Sequence, residues 1–139
     1  MAIADELSAS LLASGSDAII AADTEGVIRF WNPGAERVFG FTAVDALGQS
    51  LDLIIPERQR DRHWRGYDQV IKTGQSRYGH GDVLAVPGVR KDGTRISLEF
   101  TIVLLRDESG RLTGIGAILR DVTSRFNELQ TLRKKLAGS

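Results

Sequence analysis

Apolar positions change their spacing several times along this chain. Between residues 56 and 74 they fall at His63, Trp64, Tyr67, Val70 and Ile71, the i, i+1, i+4, i+7, i+8 pattern of one helix face. Pro56 suits the first turn, where its missing N–H costs nothing, and Glu57 lies at the positive end of the helix dipole. Gly74 suits the position just past the last turn. Upstream, Ile3, Leu7 and Leu11 are four apart and predict an amphipathic helix over residues 3–14, ended by Gly15-Ser16. Asp17–Ala22 and Val27–Trp31 are β-prone runs, and Asp23-Thr24-Glu25-Gly26 between them supplies a hairpin turn. Asn32-Pro33 opens a short helix, with Asn as cap and Pro in the first turn, and Gly40 closes it. Thr42-Ala43-Val44-Asp45 is a variant capping box opening a second brief helix, ended by Gly48. Leu51–Ile55 is an apolar link into the long helix.

The second half changes to period two. A loop from Gln75 to Gly81 contains His80, and Asp82–Val86 reads as a strand. Pro87 marks that strand as an edge or a bulge, since it cannot donate to a ladder. Val89-Arg90 continue, and Lys91-Asp92-Gly93-Thr94 turns the chain. Ile96, Leu98, Phe100, Ile102 and Leu104 then alternate with a second set of positions in a long half-buried strand. Asp107–Gly110 turns back into a last strand over Leu112–Leu119. There Gly114 and Gly116 leave one face bare, so that something bulky can approach. From Thr123, a candidate cap, Val122, Phe126, Leu129, Leu132 and Leu136 form a helical stripe. That helix ends in Arg133-Lys134-Lys135 without further apolar closure, which favours a connector over a helix folded back on the sheet. The expected class is α+β: a five-stranded antiparallel sheet with short helices on one face. The expected division is a flanking helix over 1–16, a domain over 17–122 and a connector helix over 123–139.

Composition narrows the chemistry. The 139 residues, 42% of them hydrophobic, suit one domain with a real core. Cysteine is absent, which excludes disulfides, thiolate catalysis, Cys-based zinc sites and cysteinyl cofactor adducts. No apolar run approaches 18 residues and no basic-then-apolar leader opens the chain, so a cytoplasmic protein without a membrane span is expected. Net charge is zero, and the basic residues of 58–65 are offset by acids elsewhere, so no nucleic-acid partner is expected. No nucleophile–base set, no pair of histidines four apart and no phosphate loop occurs, so an enzyme is not expected. The unusual feature is His63, on the core-facing side of a helix that carries Arg58, Arg60, Arg62 and Arg65. A lone histidine on an apolar face is ordinarily a hydrogen-bonded core residue. The sharper reading is a metal or cofactor ligand.

Several marks, taken in order, resemble the PAS family of sensory domains: Asp23-x-x-Gly26-x-Ile28-x-x-Trp31-Asn32-x-x-Ala35-x-x-x-Phe39-Gly40, Gly48, Lys91-Asp92-Gly93-Thr94, and Gly114-x-x-x-Ile118-x-Arg120-Asp121-Val122-Thr123. Together they cover about residues 17–123. The resemblance implies the PAS fold, with Asp121–Thr123 as the junction to the output helix. It does not name a ligand. The photoactive flavin and coumarate classes use a cysteine, which this chain lacks. Readers of small acids such as citrate are usually extracytoplasmic. Flavin without an adduct remains open, with Trp31 and Trp64 available to it, as does a module with no cofactor.

Pro56-Glu57-x-x-Arg60-x-Arg62-His63 is similar to the context of the proximal histidine in haem-binding PAS domains of bacterial oxygen-sensor kinases. The resemblance makes His63 the axial ligand of haem b, with Arg60 and Arg65 as partners of the propionates and Tyr67 beside the haem. Where that family carries an aromatic residue three after the histidine, this chain has Gly66 and then Tyr67. Where it carries an arginine on the following strand to bind oxygen, this chain has Val83 or Leu84. The distal wall is then Val83, Leu84, Leu98, Phe100 and Ile102, which leans toward carbon monoxide, nitric oxide or redox sensing rather than oxygen. His80 is a candidate alternative axial ligand. The resemblance further implies a homodimer through the N- and C-terminal helices and an output domain outside these 139 residues. The alternative function is a cofactor-free dimerisation and relay module.

Overall fold

A computed structural model describes residues 2–75 and 84–138. The elements run in order α1 (Ile3–Leu12), β1 (Ala18–Asp23), β2 (Ile28–Trp31), α2 (Pro33–Phe39), α3 (Ala43–Ala46), α4 (Arg60–Thr73), β3 (Leu84–Val89), β4 (Arg95–Arg106), β5 (Leu112–Asp121) and α5 (Thr123–Ala137). The five strands form one antiparallel sheet in the order β2-β1-β5-β4-β3. This is the expected α+β architecture. Strand β3 is outermost, and Pro87 sits in it opposite Ser97. An edge strand tolerates the missing donor, as expected of this proline. No described helix is long and apolar enough to cross a membrane.

The helices lie where local chemistry starts them. Asn32 caps α2 by accepting the Ala35 N–H at 2.9 Å, Pro33 takes the first turn, and Gly40 ends it at φ +83°. The Thr42 side chain caps α3 through the Asp45 N–H at 3.2 Å. The long helix departs from the single span expected over 56–74. Pro56 is extended, with ψ 142°, and a 3₁₀ turn over Glu57–Gln59 precedes α4. Thr123 also departs from expectation, because it does not cap α5. Its hydroxyl accepts the Ser97 N–H at 3.0 Å, and the cap position falls to Val122.

The apolar interior divides into two clusters. The first joins the β1–β2 hairpin and α2 to β4 and β5, with Phe39, Ile28, Trp31 and Leu98 at its centre. The second joins α4 to the far end of the sheet. Tyr67 and Val70 meet Ala22 and Ile115 there, with Trp64, Ile71, Ile102 and Leu104 packed against them. Helices α1 and α5 bury none of their residues; Ile3 is 82% exposed and Leu136 78%.

The last strand corrects one expectation. A Cβ at Gly114 would lie 2.3 Å from the Ala22 carbonyl oxygen, and one at Gly116 would lie 2.9 Å from Val103 Cγ2. The missing side chains bring in the neighbouring strand and Val103. They do not make room for a ligand.

Candidate functional site

The site is the inward face of α4 and what it leans on. His63, Trp64 and Tyr67 form one aromatic group, because residues at i, i+1 and i+4 share a helix face. The His63 ring meets Trp64 edge-on, with centroids 4.7 Å apart, and lies 5.7 Å from Tyr67. Trp64 and Tyr67 are 5.4 Å apart. Both indole and phenol bear on the β1–β2 turn. A Cβ at Gly26 would stand 2.2 Å from the Trp64 ring, so only glycine, here at φ +80°, lets the helix come this close.

Polar tips on this face are treated unequally. The Tyr67 hydroxyl donates to the Asp23 carbonyl oxygen. Burial, with the Asp23 charge added, pushes the phenol up to about 12, so it stays a neutral donor. Trp64 Nε1 donates to Asp52 Oδ1 at 2.7 Å. His63 is half-buried, and among the described residues its Nδ1 is buried without a hydrogen-bond partner. Burial holds its pKa below the ordinary value, while Asp52 pulls in the opposite direction. The imidazole is therefore neutral at pH 7, the form in which a histidine ligates a metal. A buried nitrogen without a partner is uncommon and asks for a cause. A neutral imidazole can ligate a haem iron through one ring nitrogen, and His63 is the residue of this face with the chemistry to do so.

The other expected site residues divide. Arg60 is occupied locally, donating to the carbonyls of Ile55 at 3.2 Å and Asp52 at 3.4 Å. It ties the apolar link 51–55 to α4. Arg65 is exposed; at about 100° per residue it stands about 200° round the helix from His63. It lines a shallow solvent-side cleft with Arg62, Gly66 and Gln69. Phe100 and Ile102 lie on the inner face of β4, and Ile102 packs against the Tyr67–Val70 cluster. Leu98 is 2% exposed and belongs to the other cluster, with Phe39 and Trp31, and Phe100 packs against that cluster too. Leu84 takes the register position opposite Phe100. His80 and Val83 lie outside the described residues. Sequence reading missed Asp52, the acceptor for Trp64 and a charge acting on His63. Its signal was available: one acid inside the apolar run Leu51-Asp52-Leu53-Ile54-Ile55. Among the described residues, no group of three or more His, Asp and Glu could hold a metal ion.

Comparison with known proteins places this geometry. Over 128 residues the chain is 31% identical to the sensor protein FixL of Bradyrhizobium diazoefficiens, covering 88% of this chain and 25% of that protein. It is 30% identical to an uncharacterized protein of Azorhizobium caulinodans, covering 90% of this chain and 17% of that one. The chain thus spans a quarter or less of the curated relatives it matches. Among solved structures, the PAS domain of a Colwellia psychrerythraea protein superposes with TM-score 0.73 at 22% identity, covering 88% of this chain and 99% of that one. An RNA-binding light-oxygen-voltage receptor superposes with TM-score 0.74 at 24% identity, covering 99% of this chain and 38% of that one. The family description "PAS fold" matches residues 12–126. Five antiparallel strands, short helices on one face and a long helix across them agree with that match, and the chain belongs to the PAS family.

Proposed function

We propose that this PAS domain is a signal-input module that holds haem b through His63 and reads a diatomic gas or the redox state of the iron. The observation that carries the reading is the buried, unpartnered Nδ1 of His63, beside two aromatic neighbours whose polar tips are both bonded. Pro56-Glu57-x-x-Arg60-x-Arg62-His63 supports it, as does similarity to a sensor protein. When bound, haem supplies an iron with a coordination position open to carbon monoxide, nitric oxide or oxygen.

The chain's own residues do the rest. His63 stays neutral through burial and offers a lone pair. Trp64, anchored on Asp52, fixes the helix turn that carries it. Ile102, packed against the α4 cluster, presents no hydrogen-bond donor, which favours carbon monoxide or nitric oxide over oxygen, whose bound form draws on one. Output runs from β4 to α5. Ser97 of β4 donates its N–H to Thr123 Oγ1 at 3.0 Å and accepts the Val122 N–H at 2.9 Å, and Glu99 meets Arg125 at 3.4 Å. A shift of the β4 wall would then bias the first turn of α5, as a population shift between two packings. The exposed stripes Ile3/Leu7/Leu11 and Phe126/Leu129/Leu132 suit a homodimer through the flanking helices. In this reading the domain regulates an output domain and does not itself catalyse.

The test is haem titration of the purified domain followed by absorption, with and without reductant and carbon monoxide. A Soret band that shifts with carbon monoxide and is lost or displaced in His63→Ala is expected. A colourless protein, or a band unaltered by the substitution, contradicts the reading. The colourless outcome, with a dimer lost when both helices are removed, would favour the cofactor-free module.

A further inference from the structure

The segment between α1 and β1 is held in a way that its own sequence does not announce. Its four successive carbonyls, Ser14 to Asp17, each accept a hydrogen bond from α2 or its cap residue, two of them from Arg37 in the last turn. Asn32 Nδ2 donates to Ser14 O at 3.0 Å and to Asp17 O at 3.1 Å. The Gly34 N–H donates to Ser14 O at 3.0 Å. Arg37 reaches the middle pair, Nε to Gly15 O at 2.7 Å and Nη2 to Ser16 O at 2.6 Å. The approach is closed to any larger residue at 34, where a Cβ would lie 1.9 Å from Asp17 O.

Helix α1 itself buries nothing. A helix fixed at its base and free of core contact along its length takes its direction from that base. The base is also continuous with the site. Trp64 and Tyr67 bear on the turn at Asp23–Gly26, the four residues of β2 follow, and β2 ends next to Asn32. Moreover, Ala18 pairs with Leu119 and Asp17 meets Arg120 at 3.3 Å, so α1 leaves the sheet at the end where α5 begins.

We propose that Arg37 is a positioning residue that sets the direction of α1, and that α1 is a second connector, slaved to α2, beside the C-terminal one. Guanidinium suits this role, because its planar fork can hold two carbonyls at once and a single ammonium cannot. The proposal needs no bound cofactor and stands apart from the haem reading.

The absence of cysteine makes the test clean. Spin labels at Ser10→Cys on α1 and Val44→Cys on α3, both exposed, report the angle of α1 to the domain. Dilution into unlabelled chain isolates the distance within one molecule. The native distance distribution is expected to be narrow. Arg37→Ala should at least double its width with the core still folded, and Arg37→Lys should fall between. Gly34→Ala should displace the mean. An unchanged width in Arg37→Ala overturns the proposal. So does a broadening that appears only with loss of the core, read from tryptophan emission and the thermal midpoint, since the clamp would then be part of the core.

Discussion

The two apolar clusters of this domain are built from similar residues and closed very differently. In the first, Asn32 is 1% exposed, and every polar atom of its side chain is engaged. Oδ1 accepts the N–H groups of Ile19 and Ala35, and Nδ2 donates to Ser14 and Asp17. Trp31 Nε1 donates to Phe41 O at 2.9 Å. In the second, Trp64 and Tyr67 are likewise bonded, but His63 Nδ1 is not. A satisfied buried network holds a fold; one left open by a single atom points to a missing partner. In the proposed function that contrast separates scaffold from site; Arg90 Nε, outside both clusters, is also buried without a partner among the described residues.

Breaking the closed side should cost most. Phe39→Ala removes a fully buried ring and should destabilise the domain by about 3–5 kcal/mol in urea unfolding. Asn32→Ala takes the partner from Ile19 N–H, Ala35 N–H and Asp17 O, while Ser14 O keeps Gly34 N–H, and should cost about 2–3 kcal/mol by the same measurement. On the open side the effects shrink and then change sign. Asp52→Ala strands the Trp64 N–H and should cost about 1–2 kcal/mol. His63→Leu removes an unpartnered polar atom, so in the haem-free chain it should be neutral or stabilise by about 1 kcal/mol. An equal loss at Asn32 and His63 would erase the comparison.

The smallest effect is a pH dependence of the haem-free chain. The His63 pKa is lowered by burial from 6.5, so below that pH the unfolded chain binds the proton more readily. Stability should therefore fall as pH drops from 6.5 toward the folded value, and the fall should be smaller in His63→Leu. The Asp52 charge opposes the shift, so Asp52→Asn should lower the His63 pKa further, as read by NMR titration.

The sheet was legible because β-prone runs, and in β4 a strict alternation, lie between strong turns. The missing donor of Pro87 pointed to an edge or a bulge, and the strand order makes it an edge. The start of α4 was not legible, because Pro56 can serve as the first residue of a helix or as the extended residue before one. Thr123 looked like a cap, but its hydroxyl was claimed by Ser97, a residue 26 positions away. Of the site, His63 and Tyr67 followed from helical spacing, whereas Leu98 was assigned to the wall and lies in the other cluster. Alternation says which face a residue takes, not which part of that face. Asp52 and the carbonyl clamp of residues 14–17 depend on contacts between distant segments, and no local pattern carries those.

The most direct measurement concerns the open nitrogen of His63. In His63→Gly, haem binding should be lost or its absorption bands displaced, and free imidazole should restore the native bands by replacing the deleted side chain. A variant that binds haem with native bands in the absence of imidazole would place the ligand elsewhere. A native domain that takes up no haem would leave His63 an ordinary core residue and contradict the account.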